Sequence, residues 1–198
     1  MKREAEIFHQ RPNPIPGKVV PTPVGSMNYN VLAALLEEGG VLKFHAGAEV
    51  GIFEGATSSH LLRLFPDLYL YCIDPFVDYS EHEENRTQLA MSKHEQIARE
   101  RLAPFGERVK ILKNFSVEAA KQIPDESLDF VFIDAIHTYQ AVSQDLKAWY
   151  PKVRPDGLIS GHDFSWSGVR QAVEEFLSPL GKSGFHTPST SDIWFFVK

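Results

Sequence analysis

Cysteine is almost missing from this chain, since Cys72 is the single example among 198 residues. It lies inside a predicted apolar strand, where a lone thiol more often serves packing than chemistry. No apolar run is long enough to cross a bilayer, and the N-terminus lacks the apolar stretch of a signal peptide. These absences argue against a membrane or secreted protein, and we expect a protein of the reducing cytoplasm.

An excess of positive charge is missing as well. The formal net charge is -6 at pH 7 and no basic patch is present, which argues against binding to nucleic acid. What the chain does contain is 43% hydrophobic residues, enough for one good core. The composition leaves the oligomeric state open.

Proline is concentrated at the start of the chain. Residues 1–28 carry Pro12, Pro14, Pro16, Pro21 and Pro23, and this composition resists regular structure. We predict an arm or a lid over 1–28, followed by a single domain over 29–198.

Beyond this segment, apolar strands alternate with helical patterns, which predicts a mostly parallel sheet with helices on both faces and right-handed crossovers. The predicted helices cover 31–38, 58–65, a long charged segment at 81–102 that lies over the surface, 117–122 and 168–177. The third predicted strand covers 109–112, and a late pair covers 185–187 and 192–198.

The most informative segment is A-E-V-G-I-F-E-G-A-T-S-S, from Ala48 to Ser59. It predicts a strand, a glycine turn and a helix, and the next strand, from Leu68, ends in Asp74. Glycines let the backbone approach a ligand, and an acid at the end of the second strand can accept both ribose hydroxyls. A nucleotide-binding unit is therefore predicted, with a turn that merely packs strand against helix as the alternative.

The turn lacks the three close glycines of a dinucleotide site. Phe53 and Glu54 stand where a pyrophosphate would lie, and a carboxylate there would repel it. Glu49 and Glu54 instead suit a positively charged ligand, such as the sulfonium and ammonium groups of S-adenosylmethionine. The alternative on the same scaffold is an NAD-type dehydrogenase, and the missing middle glycine argues against it.

Two further motifs follow later strands. D-A-I-H-T-Y begins at Asp134 after a buried strand, and G-L-I-S-G-H-D-F runs from Gly157 to Phe164. Both place acids where strands end, which is where open α/β sheets bind ligands.

Together these motifs resemble the class I S-adenosylmethionine-dependent methyltransferases. The glycine turn resembles their first motif in its catechol-O-methyltransferase-like form. The later pair is similar to a bacterial family that includes O-methyltransferases of natural-product sugars, and the resemblance covers roughly 44–164. It implies a Rossmann-like doubly wound α/β fold with an antiparallel last strand, and methyl transfer to a hydroxyl of a small molecule or sugar. A non-catalytic module that keeps the cofactor pocket is the second alternative.

The resemblance also implies a cofactor site. Glu49, Gly51 and Gly55 would shape its methionine end, with Phe53 as a wall. Ser58 would be a polar contact near the helix N-terminus, or else an ordinary helix-start residue.

The resemblance implies that two residues bind the nucleoside end of the cofactor. Asp74 would bind the ribose, or else cap the turn at Pro75. Ser116 would contact adenine, or else act as the N-cap of the helix that begins near Val117.

Asp134 and His137 are the predicted catalytic residues. O-methylation needs a base for the hydroxyl proton, and a histidine suits this because its ordinary pKa lies near neutral pH. The D-x-x-H placement resembles a catalytic histidine of the sugar O-methyltransferases, and the alternative is that His137 only orients the next helix. Asp145, further along that helix, is expected to be solvated, and Trp166 to lie at the core or rim, or to flank a substrate.

Asp134, His162 and Asp163 form a candidate metal site. Carboxylates at the ends of adjacent strands could converge on magnesium, which prefers oxygen ligands. Metal-dependent relatives usually carry a second oxygen ligand where this chain has His162, and an imidazole favours manganese, iron or zinc. A metal-free site stays open as the alternative.

Overall fold

The computed structural model describes residues 6–7, 32–36, 45–77, 88–187 and 192–198. The strands are β1 (Glu6–Ile7), β2 (Ala46–Val50), β3 (Tyr69–Ile73), β4 (Val109–Leu112), β5 (Leu128–Ile133), β6 (Val153–Gly161), β7 (Phe185–Thr187) and β8 (Ile193–Val197). The helices are α1 (32–36), α2 (Ala56–Leu64), α3 (Gln88–Leu102), α4 (Ser116–Ala120), α5 (Tyr139–Trp149) and α6 (Ser167–Leu177). Short 3₁₀ helices cover Ala103–Arg108, Tyr150–Lys152 and Ser178–Leu180.

The strands form one sheet in the order β1-β7-β8-β6-β5-β2-β3-β4. The pairings from β6 across to β4 are parallel. β8 runs antiparallel to β6, and β7 antiparallel to β8. The predicted Rossmann-like sheet, mostly parallel with an antiparallel last strand, is therefore confirmed.

Apolar side chains pack on both faces of this sheet. Along β5 every residue is buried, with Phe130 and Phe132 in the cluster that includes residues of α1, α2 and α3. Val131 and Ile133 belong to the opposite cluster, which includes residues of α4, α5 and α6. Because successive side chains of a strand point to opposite faces, this alternation confirms helices on both sides of the sheet.

Some boundaries differ from the predicted ones. Within 1–28, Glu6–Ile7 forms β1 and pairs with β7, so regular structure occurs there; the rest of the predicted arm lies outside the described residues, as do residues 81–87 of the predicted long helix. β6 begins at Val153, ahead of the P-D-G sequence, which lies inside the strand where its register with β5 shifts. Among the described residues no helix is long and apolar enough to cross a membrane.

Candidate functional site

The carboxyl ends of β2, β3, β5 and β6 meet at one edge of the sheet. The turns that follow them are joined by backbone hydrogen bonds: Gly51 N donates to Ile73 O at 2.8 Å, and Asp134 N donates to Val50 O at 2.8 Å. His162 N donates to Ile133 O at 3.1 Å. The predicted ligand residues of separate motifs are thereby held along one edge.

A cavity of about 1100 Å³ lies against this edge. Its wall includes Gly51, Phe53, Asp74, 115–118, 134–138, Gln144, Asp145 and Trp166. It therefore extends from the glycine turn past Asp134 and His137, and it brings together predicted residues from the glycine turn, β3, α4 and the segment after β5.

Gly51 is required by the packing of the turn. Its φ is +89°, and a Cβ there would lie 2.1 Å from the carbonyl oxygen of Asp134. Gly55 has φ +72° and caps the start of α2, where a Cβ would meet Leu102 Cδ1 at 3.2 Å. Gly55 is not in the cavity wall, so its visible role is local to the helix start.

Glu49 and Ser58 lie behind the cavity wall. Ser58 donates a hydrogen bond to Glu49 Oε2, and the Cys72 thiol donates to Ser58 Oγ at 3.2 Å. Glu49 is 2% exposed, and burial raises the pKa of its carboxyl to about 8. Direct contact of Glu49 or Ser58 with a cofactor stays a prediction, and the buried Cys72 has the expected packing role.

The charge argument made for the glycine turn stays a prediction for Glu49, whose pKa is raised to about 8 by burial. Glu54 faces α3 instead, with Oε1 3.0 Å from His94 Nδ1 and Oε2 3.6 Å from Arg101 Nη2. The carboxylates in the cavity wall come instead from Asp74, Glu118, Asp134 and Asp145.

Asp74 is held firmly by the backbone. Its Oδ2 accepts from Phe53 N at 2.9 Å and its Oδ1 from Phe76 N at 2.8 Å. The turn-stabilising alternative is therefore present. The ribose role of Asp74 stays a prediction.

Ser116 is the first residue of α4, while Phe115 is its N-cap; the N-cap alternative is wrong. The Ser116 hydroxyl donates to Asp145 Oδ1 and accepts from Trp149 Nε1 at 2.8 Å. Asp145 is only 4% exposed, so the expectation that it is solvated is also wrong. Burial raises the pKa of its carboxyl to about 6, against the opposing effect of the Ser116 hydrogen bond.

Asp134, His162 and Asp163 converge at the ends of β5 and β6, with one ligand atom of each within 4.8 Å of the others. His162 Nδ1 lies 2.9 Å from Asp163 Oδ2 and 3.6 Å from Asp134 Oδ1. Burial opposes ionisation of Asp163, but the imidazoles of His137 and His162 beside it hold its pKa well below the usual range. The structure brings these three predicted residues together, and their binding of a metal stays a prediction.

His137 joins the same cluster. Its Nε2 lies 2.7 Å from Asp163 Oδ2 and 3.8 Å from Asp134 Oδ1. The carboxylates of Asp134 and Asp163 raise its pKa to about 9. This contact with Asp163 is an ion pair that is not aligned as a hydrogen bond, so the buried Nε2 has no hydrogen-bond partner within the described part of the chain. A buried nitrogen in that state suits a hydroxyl brought by a ligand.

Trp166 marks the mouth of the cavity beside His137. Its side chain is 57% exposed, and its ring centroid lies 5.3 Å from that of His137. The structure therefore places Trp166 at the rim and not in the core, and contact with a substrate stays a prediction.

A doubly wound sheet with a cavity at its carboxyl edge, a glycine turn and an acid after β3 defines the class I methyltransferase fold. The family model of the Methyltransferase domain matches residues 48–164, which is more than half of the chain. The chain belongs to this family and is an S-adenosylmethionine-dependent methyltransferase.

Solved structures agree with the fold. A structure assigned as a caffeoyl-CoA O-methyltransferase from Staphylococcus aureus has a TM-score of 0.66 at 16% identity, over 89% of this chain and 86% of that one. An O-methyltransferase from Bacillus cereus in complex with SAH has a TM-score of 0.62 at 19% identity, over 89% of this chain and 84% of that one. At these identities the likeness concerns the fold alone.

One curated relative is similar over a short segment. "Uncharacterized protein y4gI" of Sinorhizobium fredii is 33% identical over 54 residues, which is 27% of this chain and 6% of that protein.

Proposed function

We propose that this enzyme methylates a hydroxyl oxygen of a small molecule or sugar. The observation that supports this most is the convergence of Asp134, His137, His162 and Asp163 on one point at the edge of the methyl-donor cavity. Two imidazoles and two carboxylates offer both proton transfer and oxygen binding there. The exposed Trp166 beside them offers a flat apolar face to an acceptor.

The reaction is an in-line displacement. The bond from sulfonium sulfur to methyl carbon breaks as the acceptor oxygen bonds to that carbon, and the hydroxyl proton goes to a base, so the enzyme mainly positions reactants and accepts the proton. We assign His137 Nε2 as the proton acceptor in its neutral imidazole form, because it lies in the charged cluster and has no aligned hydrogen-bond partner among the described residues. Since the two carboxylates raise the pKa of His137 to about 9, the neutral form gains population as the pH rises toward that value. Asp134 and Asp163 fix the ring beside the acceptor.

The residues present fit a divalent cation. Asp134, His162 and Asp163 would hold it through two carboxylates and one imidazole, a set open to magnesium and, because of the imidazole, to manganese, iron or zinc. When bound, such a cation would lower the pKa of the acceptor hydroxyl and oppose the carboxylates that keep His137 protonated.

The two alternatives have lost support. Membership of the methyltransferase family and the missing pyrophosphate turn both weigh against a dehydrogenase. A non-catalytic module would have no need of the charged cluster beside the donor cavity.

The proposal is tested by methyl transfer from labelled S-adenosylmethionine to matched acceptors. Catechols and sugars would be compared with amines and thiols of the same carbon skeleton. Label appearing in ether linkages supports the proposal, whereas label transferred only to nitrogen, sulfur or carbon acceptors contradicts it.

The cation is tested separately, with Asp163→Ala and chelator-treated wild type. We expect chelation to lower methyl transfer, magnesium or manganese to restore it, and Asp163→Ala to remove the response to added cation. Lys147→Ala, exposed on α5, serves as the control and should respond as wild type does. Activity indifferent to chelator and to every cation would rule out the metal.

A further inference from the structure

The segment that follows β6 lies against His137 at three points. The Asp163 carboxylate is 2.7 Å from Nε2 of the imidazole, and the ring centroid of Trp166 is 5.3 Å from that of the imidazole. The third contact is made by main chain, because Gly168, in the first turn of α6, lies beside the carbonyl oxygen of His137. One short stretch of chain therefore surrounds the proposed base.

Gly168 is the residue that makes the main-chain contact possible. A Cβ at this position would lie 2.9 Å from the Tyr139 amide nitrogen, 3.4 Å from the His137 carbonyl oxygen and 3.5 Å from the Thr138 carbonyl carbon. All three are backbone atoms, which cannot turn aside as the end of a flexible side chain can. The shortest of these distances is below those of real Cβ contacts, so a larger residue would push this main chain away from α6.

The two helices that flank this main chain have little freedom to give way. Thr138 is the N-cap of α5, and its hydroxyl accepts a hydrogen bond from an N–H of the first turn. The Tyr139 hydroxyl of α5 donates to Glu175 Oε2 of α6 at 2.6 Å, and buried apolar residues of both helices belong to one core cluster. Because α5 is held against α6, the strain of a larger residue would fall on the short segment that carries His137.

The position of His137 matters for the reaction. A proton acceptor must lie within about 2.6–3.2 Å of the oxygen that it deprotonates, and a misplacement of about 1 Å can lower a rate by about 10². Nε2 has no aligned hydrogen-bond partner among the described residues, so no hydrogen bond of the protein would return it to its place. The carboxylates of Asp134 and Asp163 attract the ring, while the main chain determines how far Nε2 reaches.

We infer that Gly168 is a positioning residue of the methyl transfer. Its missing side chain lets α6 approach the main chain of 137–139, and this approach places His137 Nε2 at the acceptor oxygen. Gly168 acts through His137 and not through a contact of its own with either reactant. The inference rests on the proposed function, in which His137 is the base, and it is independent of which hydroxyl compound is the acceptor.

The test is steady-state methyl transfer by Gly168→Ala, made in the wild type and in His137→Ala, with a catechol or sugar that the wild type methylates. In the wild-type background we expect kcat to fall by about 10-fold or more, with the KM for S-adenosylmethionine and the affinity for S-adenosylhomocysteine unchanged. In the His137→Ala background the same substitution should cause no further loss, because the base that it positions is absent. Damage to the fold alone would lower both backgrounds alike.

Lys147→Ala is the control on the helix that Gly168 approaches. Lys147 is exposed on α5, so turnover should stay at the wild-type level. If urea denaturation shows that Gly168→Ala does not fold, Thr138→Gly tests the same main chain without added volume. It removes the N-cap hydrogen bond and frees the peptide after His137, so kcat should fall in the wild type and not in His137→Ala.

Two results would overturn the inference and leave the proposed function intact: an unchanged kcat in folded Gly168→Ala, or an equal loss in both backgrounds. If that variant is unfolded, full turnover by Thr138→Gly overturns the inference in the same way. Failure of the wild type to methylate any hydroxyl, or full activity of His137→Ala, would overturn it together with the proposed function or its base.

Discussion

The two ends of the carboxyl edge are built on opposite principles. At the donor end, after β2 and β3, polar groups are satisfied by the protein itself: Asp74 accepts two backbone N–H groups, and Glu49 is buried against Ser58. At the acceptor end, after β5 and β6, charged groups crowd together and His137 Nε2 has no hydrogen bond among the described residues. We expect the end whose polar groups are already hydrogen-bonded to hold the donor, and the crowded charged groups at the other end to take part in the chemistry.

The largest effect is expected where the two ends touch. Gly51→Ala would place a Cβ 2.1 Å from the Asp134 carbonyl oxygen at a φ of +89°, and backbone on both sides leaves little room to relax. We expect a loss of about 3 kcal/mol or more in the free energy of unfolding, measured by urea denaturation, together with loss of donor binding.

Gly106→Ala is the matched control for that substitution. Its φ is +56° and its ψ is −126°, a conformation that L residues avoid, but a Cβ would meet nothing within 4 Å. Only the backbone cost of about 1–3 kcal/mol therefore applies, and the loss should be smaller than for Gly51→Ala. Equal losses for the two variants would show that contact with Asp134 is unimportant.

Next in size is His137→Ala, which removes the proposed base from the acceptor end. We expect turnover to fall by a factor on the order of 10² or more, with S-adenosylhomocysteine affinity unchanged, because the donor end is self-sufficient. Steady-state methyl transfer and calorimetry measure the two quantities. Full activity of the variant would show that His137 is not the base. An equal loss of donor affinity would show that the two ends do not act separately.

Asp74→Asn tests the donor end in turn. In this variant an NH₂ group replaces one carboxylate oxygen, so it faces the backbone N–H from which that oxygen accepts a hydrogen bond in the wild type. The substitution also removes an acceptor for ribose hydroxyls. Donor affinity should fall by about 10-fold. Comparing S-adenosylhomocysteine with its 2′-deoxy analogue isolates the ribose contact: wild type should discriminate between them more than the variant does. Equal discrimination by the wild type and the variant would show that Asp74 stabilises the turn but does not bind the ribose.

Much of this arrangement was predictable, because it follows from strand ends. The positions of Asp74, Asp134 and Asp163 after apolar runs place them at one edge of a parallel sheet. The pairing of charges was not predictable in this way: Glu54 meets His94 and Arg101 of α3, and that contact depends on how a distant helix docks.

Asp145 was open to detection and was missed. Val142, Asp145, Leu146 and Trp149 are spaced as the buried stripe of a helix, and all four are buried in α5. An acid inside an apolar stripe indicates a specific partner. Ser116 could not be named as that partner, because the contact joins residues far apart in sequence.

The pH dependence of stability tests the buried acid of the donor end. The folded-state pKa of Glu49 is about 8, against an ordinary value of 4.5, chiefly because of burial. Between these values the folded protein keeps a proton that the unfolded chain releases, so stability falls as pH rises through that window. Glu49→Gln should remove this pH dependence, so that the free energy of unfolding falls less steeply with pH, by up to about 1.4 kcal/mol per pH unit. Urea denaturation from pH 5 to 8 measures the slope. Asp145→Asn is the internal comparison, because its pKa of about 6 confines the corresponding flattening to lower pH. If Glu49→Gln kept the wild-type slope above pH 6, Glu49 would be ionised in the folded protein, and the donor end would carry the negative charge that its burial argues against.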